Sequence, residues 1–357
     1  MAVVILFAVS SLEDRLAELA RGAARSPNPN AFAVEKLAGQ ASNRVYYRVA
    51  ASGGPSFVAM VLPPEATRSE EASSAAAPPA ELPFLNVHRY LAKLGIPVPA
   101  IHTAALEEGI LLLEDLGDTT LELSWRAKPS ESLYHTAIDL LADLRARAAA
   151  HPDPSCLAFT RAFDRSLYRW ELDHYLEYGL KARQDFEPTA RAAEVLGRAF
   201  DSLSDRLAAL PRGFTHRDYQ SRNLMLPARG MVVIDFQDAL LAPRQYDLVA
   251  LLRDSYIELP DALLDALLAR YVARLSSLTG EAIDATDFRA GFDLLTVQRK
   301  LKDAGRFEFI ARVKGNPSFL PHVPASLRYV ARALERLPAY GDLLLLLREL
   351  HPEMRAG

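Results

Sequence analysis

The stretch that decides the fold runs from Phe214 to Asp238 and reads FTHRDYQSRNLMLPARGMVVIDFQD. It sets His216, Asp218 and Asn223 in one polar loop, then places Asp235 at the end of the apolar run Met231–Ile234. Asn223 follows Asp218 by five positions, the spacing of the kinase catalytic loop H-R-D-x-x-x-x-N, and Asp235 stands where a metal-binding Asp would follow. Phosphoryl transfer from ATP needs such a set. One carboxylate accepts a hydroxyl proton, while an amide oxygen and a second carboxylate hold the magnesium that bridges the phosphates. Asp218 is therefore the candidate base, which would hold an acceptor hydroxyl in line with the terminal phosphate. Asn223 and Asp235 are the candidate metal ligands, hard oxygens that suit Mg2+. Taken singly, each could be a turn residue; taken together they define one chemistry.

Neighbouring residues read as support. His216 in such a loop more often fixes backbone by hydrogen bonds than does chemistry. Arg217 can face either substrate or solvent. Asp247, which opens the helical pattern YDLVALL, is a favourable charge at a helix N-terminus and can equally reach back to brace the loop. Arg253, Asp254 and Tyr256, polar residues expected on that same helix, are candidates for substrate contact, with a solvated helix face as the alternative.

Outward from the loop the chain changes character. Residues 31–62 read as strands: AFAVEKL and RVYYRVA flank GQASN, and AASGGPS turns the chain into SFVAMVL, an antiparallel meander. Residues 66–81 lack large apolar side chains and predict a mobile insert. Phe84–Leu94 predicts a helix closed by Gly95, and Gly109–Leu113 a buried strand running into the polar turn EDLGD, fit for a hinge. Beyond about residue 120, helical spacing covers Leu133–Ala150, Phe163–Leu180, Ala190–Leu210, Tyr246–Ile257, Ala262–Leu278 and Ala325–Leu337. The apolar runs Leu111–Leu113 and Leu343–Leu347, and the stripe Leu140, Leu141 and Leu144, read as core. Strands first and helices later, with chemistry where the pattern changes, predict an α+β bilobal kinase fold. The expected division is a nucleotide-binding lobe over 1–116 and a mainly helical lobe over 117–357 that carries the catalytic loop and substrate site.

The phosphate-covering loop would be Gly39-Gln40-Ala41-Ser42-Asn43, offering backbone amides and the Ser42 hydroxyl. No G-x-x-x-x-G-K-[ST] or G-x-G-x-x-G motif occurs. Where SFVAMVL should carry a phosphate-binding lysine it has Met60; Arg44 or Arg48 could supply that charge.

Composition excludes other classes. The 357 residues suit two lobes, and with 50% hydrophobic and 24% charged residues the chain is ordinary for a globular enzyme. A net charge of -4 offers no basic field for nucleic acid. Cys156 is the only cysteine, so an internal disulfide is impossible and a reducing cytoplasm is the expected home. Ala2–Val9 is apolar but about half a membrane span in length, which predicts a short strand or a leader rather than an anchor. Ser10–Glu13 reads as a capping box opening a helix through Ala20.

With these residues in hand, the chain resembles the aminoglycoside phosphotransferase/choline kinase superfamily, small-molecule relatives of protein kinases. The segments that carry the resemblance are ASNRVYYRV, MVLPPE, GILLLEDLGD, HRDYQSRNLM, VIDFQDA and APRQYDLVALLRDSYIELP, spread over about residues 38–260. FQDA together with YDLVALLRDSY is similar to one branch, the cytoplasmic anomeric kinases that act on N-acetylmuramate and N-acetylglucosamine in peptidoglycan recycling. The resemblance implies ATP, Mg2+ and a sugar whose anomeric hydroxyl takes the phosphate. It implies Asp218 as base and Asn223 and Asp235 as metal ligands; the reading of the strand-connecting loop puts Gly39, Ser42, Asn43 and Arg44 near the nucleotide phosphates. By position in the chain alone, Glu114 to Leu116 is where an adenine base would meet hinge backbone groups. No nucleic acid, membrane or obligate protein partner is expected. The insert at 66–81 and the sequence GQASN depart from that branch.

Three alternatives stay open. One is a kinase of another small hydroxyl compound: an aminoglycoside, a choline-like amine or another sugar. A protein kinase is disfavoured by the short segment after Asp235 and the absence of A-P-E. A non-catalytic nucleotide-binding pseudokinase would account for Met60 but not for the intact Asp218, Asn223 and Asp235.

Overall fold

A computed structural model describes residues 11–25, 32–37, 44–63 and 81–355. The apolar N-terminus, Gly39, Ser42 and Asn43, and the insert up to residue 80 lie outside the described residues. Contacts divide the chain into two compact units: Met1–Ala80, Val98–Asp118 and Leu226–Val232 form one, and Glu81–Pro97, Thr119–Met225 and Val233–Gly357 the other. The helix Pro83–Lys93 therefore groups with the second unit although it precedes residue 116.

The first unit is the expected meander. Strands β1 (Phe32–Lys36), β2 (Val45–Ala51), β3 (Ser56–Val61), β4 (Ile101–Ala105) and β5 (Ile110–Glu114) form one sheet in the order β1-β2-β3-β5-β4. Every neighbouring pair is antiparallel, with Arg48 opposite Val58 and Met60 opposite Leu111. Alternation gives the sheet two faces. Val49, Phe57, Ala59, Ile110 and Leu112 are buried with Leu16 and Ala20 of the helix Leu12–Ala24. Burying one such leucine contributes about 1.5–3 kcal/mol. Met60 lies on the opposite face and is fully buried. The capping box sits one residue later than predicted: Ser11 Oγ accepts from the Asp14 amide, and the Asp14 carboxylate accepts from the Ser11 amide. The helix then continues to Ala24.

The second unit is helical, and the predicted helices occur with shifted ends. Glu131–Ala150 packs on Asp261–Thr279, pinned by Arg270 to Asp139 at 2.6 Å and Arg274 to Asp143 at 2.7 Å. The helix predicted over 163–180 starts at Arg165, capped by Asp164, and passes at Leu176–Ala182 into π-helical turns. The helix from Tyr246 stops at Leu252 instead of Ile257. Of the Leu343–Leu347 run, Leu345 is 63% exposed, because the run forms a helix, Gly341–Leu350, and a helix turns one face outward. The major omission is Ala285–Val313, a 29-residue helix with no predicted counterpart. Among the described residues no helix is long and apolar enough to cross a membrane.

Candidate active site

The short strand Arg212–Thr215 pairs antiparallel with Leu240–Pro243 and delivers the chain to His216. Arg145, on the helix Glu131–Ala150, fixes that ladder: its Nη1 donates to the Phe214 carbonyl at 2.8 Å and the Ala242 carbonyl at 3.2 Å. The next turn is held from one carboxylate. Asp247, buried at the start of the helix Tyr246–Leu252, accepts from the His216 amide at 2.8 Å and the Arg217 amide at 2.9 Å. Burial pushes its pKa up, against the opposing pull of His216 and these two amides. Asp247 thus fills both roles weighed for it. Arg217 adopts a left-handed φ of 78°, and Asp235 one of 65°. Both side chains lack the freedom of glycine, so the surrounding contacts must impose these conformations.

His216 is buried and structural. Its Nε2 lies 3.0 Å from the Ile234 carbonyl, and its Nδ1 accepts from the Asp218 amide at 3.2 Å. That pattern fixes the neutral Nε2–H tautomer, and burial lowers the pKa in the same sense. The ring therefore ties the loop to Ile234, the residue before Asp235. Asn223 adds a second tie. Its carbonyl accepts from the Ile234 amide at 3.0 Å, and its Nδ2 donates to the Asp218 carbonyl at 2.8 Å. The same Nδ2 is 3.4 Å from Asp235 Oδ2, so the two candidate ligands meet. Gln237 Nε2 steadies the other oxygen, Asp235 Oδ1, at 2.8 Å.

Asp218 is gripped from a helix that sequence reasoning missed. Arg299, in the middle of Ala285–Val313, donates through Nη1 to the Arg217 carbonyl at 3.0 Å and through Nη2 to Asp218 Oδ1 at 3.3 Å. Burial raises the Asp218 pKa, but Arg299, Arg217, Lys302 and His216 together outweigh it and hold the carboxyl below its ordinary value. An ionised carboxylate, 36% exposed, is the state a proton acceptor needs.

The proposed substrate contacts divide. Arg217 is buried with its guanidinium 5.8 Å from the Phe163 ring centre, which excludes the solvent-facing reading. Arg253 and Asp254 follow the helix instead of lying on it, and each is 1% exposed, so neither forms a solvated face. Asp254 braces the loop: Oδ2 accepts from Ser221 N at 3.0 Å and Ser221 Oγ at 2.5 Å. Arg253 lies over the Tyr329 ring at 4.9 Å. Tyr256 is half-buried under Arg222, whose guanidinium stacks 3.3 Å from its ring centre.

In the sheet unit, Glu114 is committed to Arg229, with two contacts of 2.7 Å, and to the Ala100 amide. Its side chain is thus structural, leaving only backbone for a base. Leu116 is buried, and Arg44 is half-buried at the entry to β2. Arg48 pairs with Asp115 at 2.8 Å and Asp118 at 2.7 Å, on the sheet face that also carries Met60.

A sequence model of the phosphotransferase enzyme family matches residues 33–282, and the chain belongs to that family. Among curated proteins it is 31% identical over 347 residues to the N-acetylmuramate/N-acetylglucosamine kinase of Pseudomonas putida, covering 97% of this chain and 96% of that one. It is 34% identical over 272 residues to the protein of the same name from Pseudomonas aeruginosa, covering 75% and 78%. Its fold is that of choline kinase from Cryptosporidium parvum, at a TM-score of 0.62, 12% identity and coverage of 93% and 98%. An ADP-bound aminoglycoside phosphotransferase superposes at 0.54, with 12% identity and coverage of 89% and 98%. The expected α+β kinase-like fold and the family resemblance are borne out.

Proposed function

We propose that this phosphotransferase moves the terminal phosphate of ATP to the anomeric hydroxyl of N-acetylmuramate, N-acetylglucosamine or both, in the cytoplasm, within peptidoglycan recycling. The observation that carries the reading is the meeting of Asn223 and Asp235 beside an Asp218 kept ionised by Arg299. Similarity to two kinases of that name, over 97% of the chain for one and 75% for the other, supports the sugar.

The residues present fit magnesium. Among the described residues no group of three or more His, Cys, Asp or Glu could hold a metal unaided. Asn223 presents its amide oxygen, because Nδ2 is engaged by the Asp218 carbonyl, and Asp235 presents a carboxylate. Two oxygen ligands completed by water and phosphate oxygens are the pattern magnesium favours over a protein cage. When bound, the ion would neutralise charge developing on the phosphates. Asp218 then orients the acceptor hydroxyl and takes its proton as the oxygen attacks phosphorus. Arg299 and the Asp247-fixed amides hold that carboxylate still, so its geometry needs no reorganisation. In the sheet unit the nucleotide contacts assigned are Gly39, Ser42, Asn43 and Arg44 for phosphates, and backbone of Glu114 and Leu116 for the base. Arg48 replaces the strand lysine as the local cation.

The test is transfer from labelled ATP with magnesium to a panel of N-acetylmuramate, N-acetylglucosamine, other hexoses, choline and kanamycin. The free sugars should be labelled and their borohydride-reduced forms should not. Labelling of the reduced sugar would overturn the anomeric assignment, and preference for choline or kanamycin would overturn the sugar.

A further inference from the structure

Within the helical unit, a cavity of about 300 Å3 is bounded by Trp125, Arg126, Pro129, Tyr256, Ile257 and Glu258. That volume is at the small end of ligand sites, which span about 300–1,000 Å3. Two links join it to the catalytic loop. Tyr256 forms one wall and carries on its ring the guanidinium of Arg222, the residue before Asn223. The Tyr256 amide also donates to Asp254, the carboxylate that holds Ser221.

Glu122 is shared by Arg126 and Arg222, and Glu258 by Arg328 and Arg332. Asp261, between Arg332 at 3.8 Å and Arg253 at 3.5 Å, adds one charge of each sign. The charged side chains on the cavity wall are Arg126 and Glu258, and Glu258 is already paired with two arginines. With Glu258 so committed, the wall still presents a half-exposed guanidinium, which suits an anion better than a polycation or quaternary amine. Arg126 is the cation placed to answer it. Its Nε is 3.0 Å from Glu122 and its Nη2 donates to the Tyr256 carbonyl at 2.8 Å, while the side chain stays 51% exposed. Trp125, Pro129 and Ile257 supply apolar surface for the carbon face of a sugar ring and an acetamide methyl.

We propose that this cavity receives the part of the acceptor remote from its reacting hydroxyl, and that Arg126 reads a carboxylate there. The lactyl carboxylate is the group N-acetylmuramate has and N-acetylglucosamine lacks, so Arg126 sets the preference between them. The inference rests on the sugar-kinase reading above.

Steady-state kinetics of the full chain with ATP and magnesium would test it, using N-acetylmuramate, its methyl ester and N-acetylglucosamine as acceptors. In Arg126→Met the ratio of kcat/KM for the acid over either neutral acceptor should fall roughly tenfold or more, the loss expected for one charge-assisted contact. Arg126→Lys should restore part of the ratio, and thermal midpoints would confirm that both variants fold. An unchanged ratio, whether both activities fall together or neither does, overturns the assignment to Arg126. Wild-type protein that labels N-acetylglucosamine but not the acid overturns it too. Labelling of no sugar at all would instead remove the sugar-kinase reading, and this subsite with it.

Discussion

Asp218 is defined at the residue scale by what surrounds it, and two substitutions separate its role from its setting. Asp218→Ala should lower kcat by about 10²–10⁴-fold while nucleotide still binds, measured by turnover beside titration calorimetry with ATP. Arg299→Met removes the largest cationic influence on that carboxyl, so its pKa should rise. A base works only when ionised. In the wild type the carboxyl lies below its ordinary value of 3.8, and the acid limb of kcat/KM from this group falls below that pH. In the variant the limb should move upward, into the range where a pH–rate profile can follow it. An acid limb that stays put would show that Arg299 does not tune the base. Asp218, Asn223 and Asp235 were legible in the sequence because their spacing is local and each residue type is demanded by the chemistry. Arg299 was not. It lies 81 positions after Asp218, and one arginine among many on a helical pattern carries no mark of its target.

That arginine rides on an element the sequence also concealed. Periodicity reveals a helix when one face is apolar and the other polar, and Ala285–Val313 breaks the premise. Gln298, Arg299, Lys300, Asp303 and Glu308 are all buried, with Lys300 against Asp303 at 2.6 Å and Gln298 against Glu171 at 2.6 Å. Its polar residues are interior, so the stripe vanishes. The overrun of the helix from Tyr246 has another cause: Tyr256 falls at helical spacing from Leu252 and Ile257 follows it, but the backbone leaves the helix after Leu252 and Asp254 meets Ser221. Gly305 lets the long helix approach the backbone of the helix Arg165–Tyr175 closely. A Cβ there would stand 2.7 Å from Tyr175 Cα, a backbone atom that cannot rotate away. Gly305→Ala should therefore destabilise the protein by about 1–3 kcal/mol, as overpacking does, despite the better helix propensity of alanine. Denaturant midpoints would check it. A stabilised variant would mean the two helices can part without penalty.

At the scale of the whole molecule, the order of strands before helices was plain from composition, whereas the regrouping of Glu81–Pro97 with the helical unit was not, since contacts distant in sequence decide it. The C-terminal segment shows a further property of the whole. His351 is fully buried, with Nε2 2.7 Å from the Tyr175 hydroxyl and Nδ1 3.2 Å from Gln184 Nε2. Burial lowers its pKa from 6.5 to about 4. A histidine depressed in the folded state binds its proton first in the unfolded chain, so stability is intact above pH 6.5 and falls as pH drops towards 4. The loss from this group should approach about 3 kcal/mol at the lower end. Urea midpoints measured from pH 7.5 down to 4.5 should show a shallower decline for His351→Gln than for wild type. Parallel slopes would assign the acid sensitivity elsewhere.

The left-handed backbone at Arg217 reaches beyond catalysis to any effort to harden this protein against heat. Glycine would relax that position, so a screen for thermal endurance alone would be drawn towards it. It would also free the peptide that Asp247 and Arg299 clamp next to Asp218. An exchange that relieved the strain would leave the proposed base less well aimed.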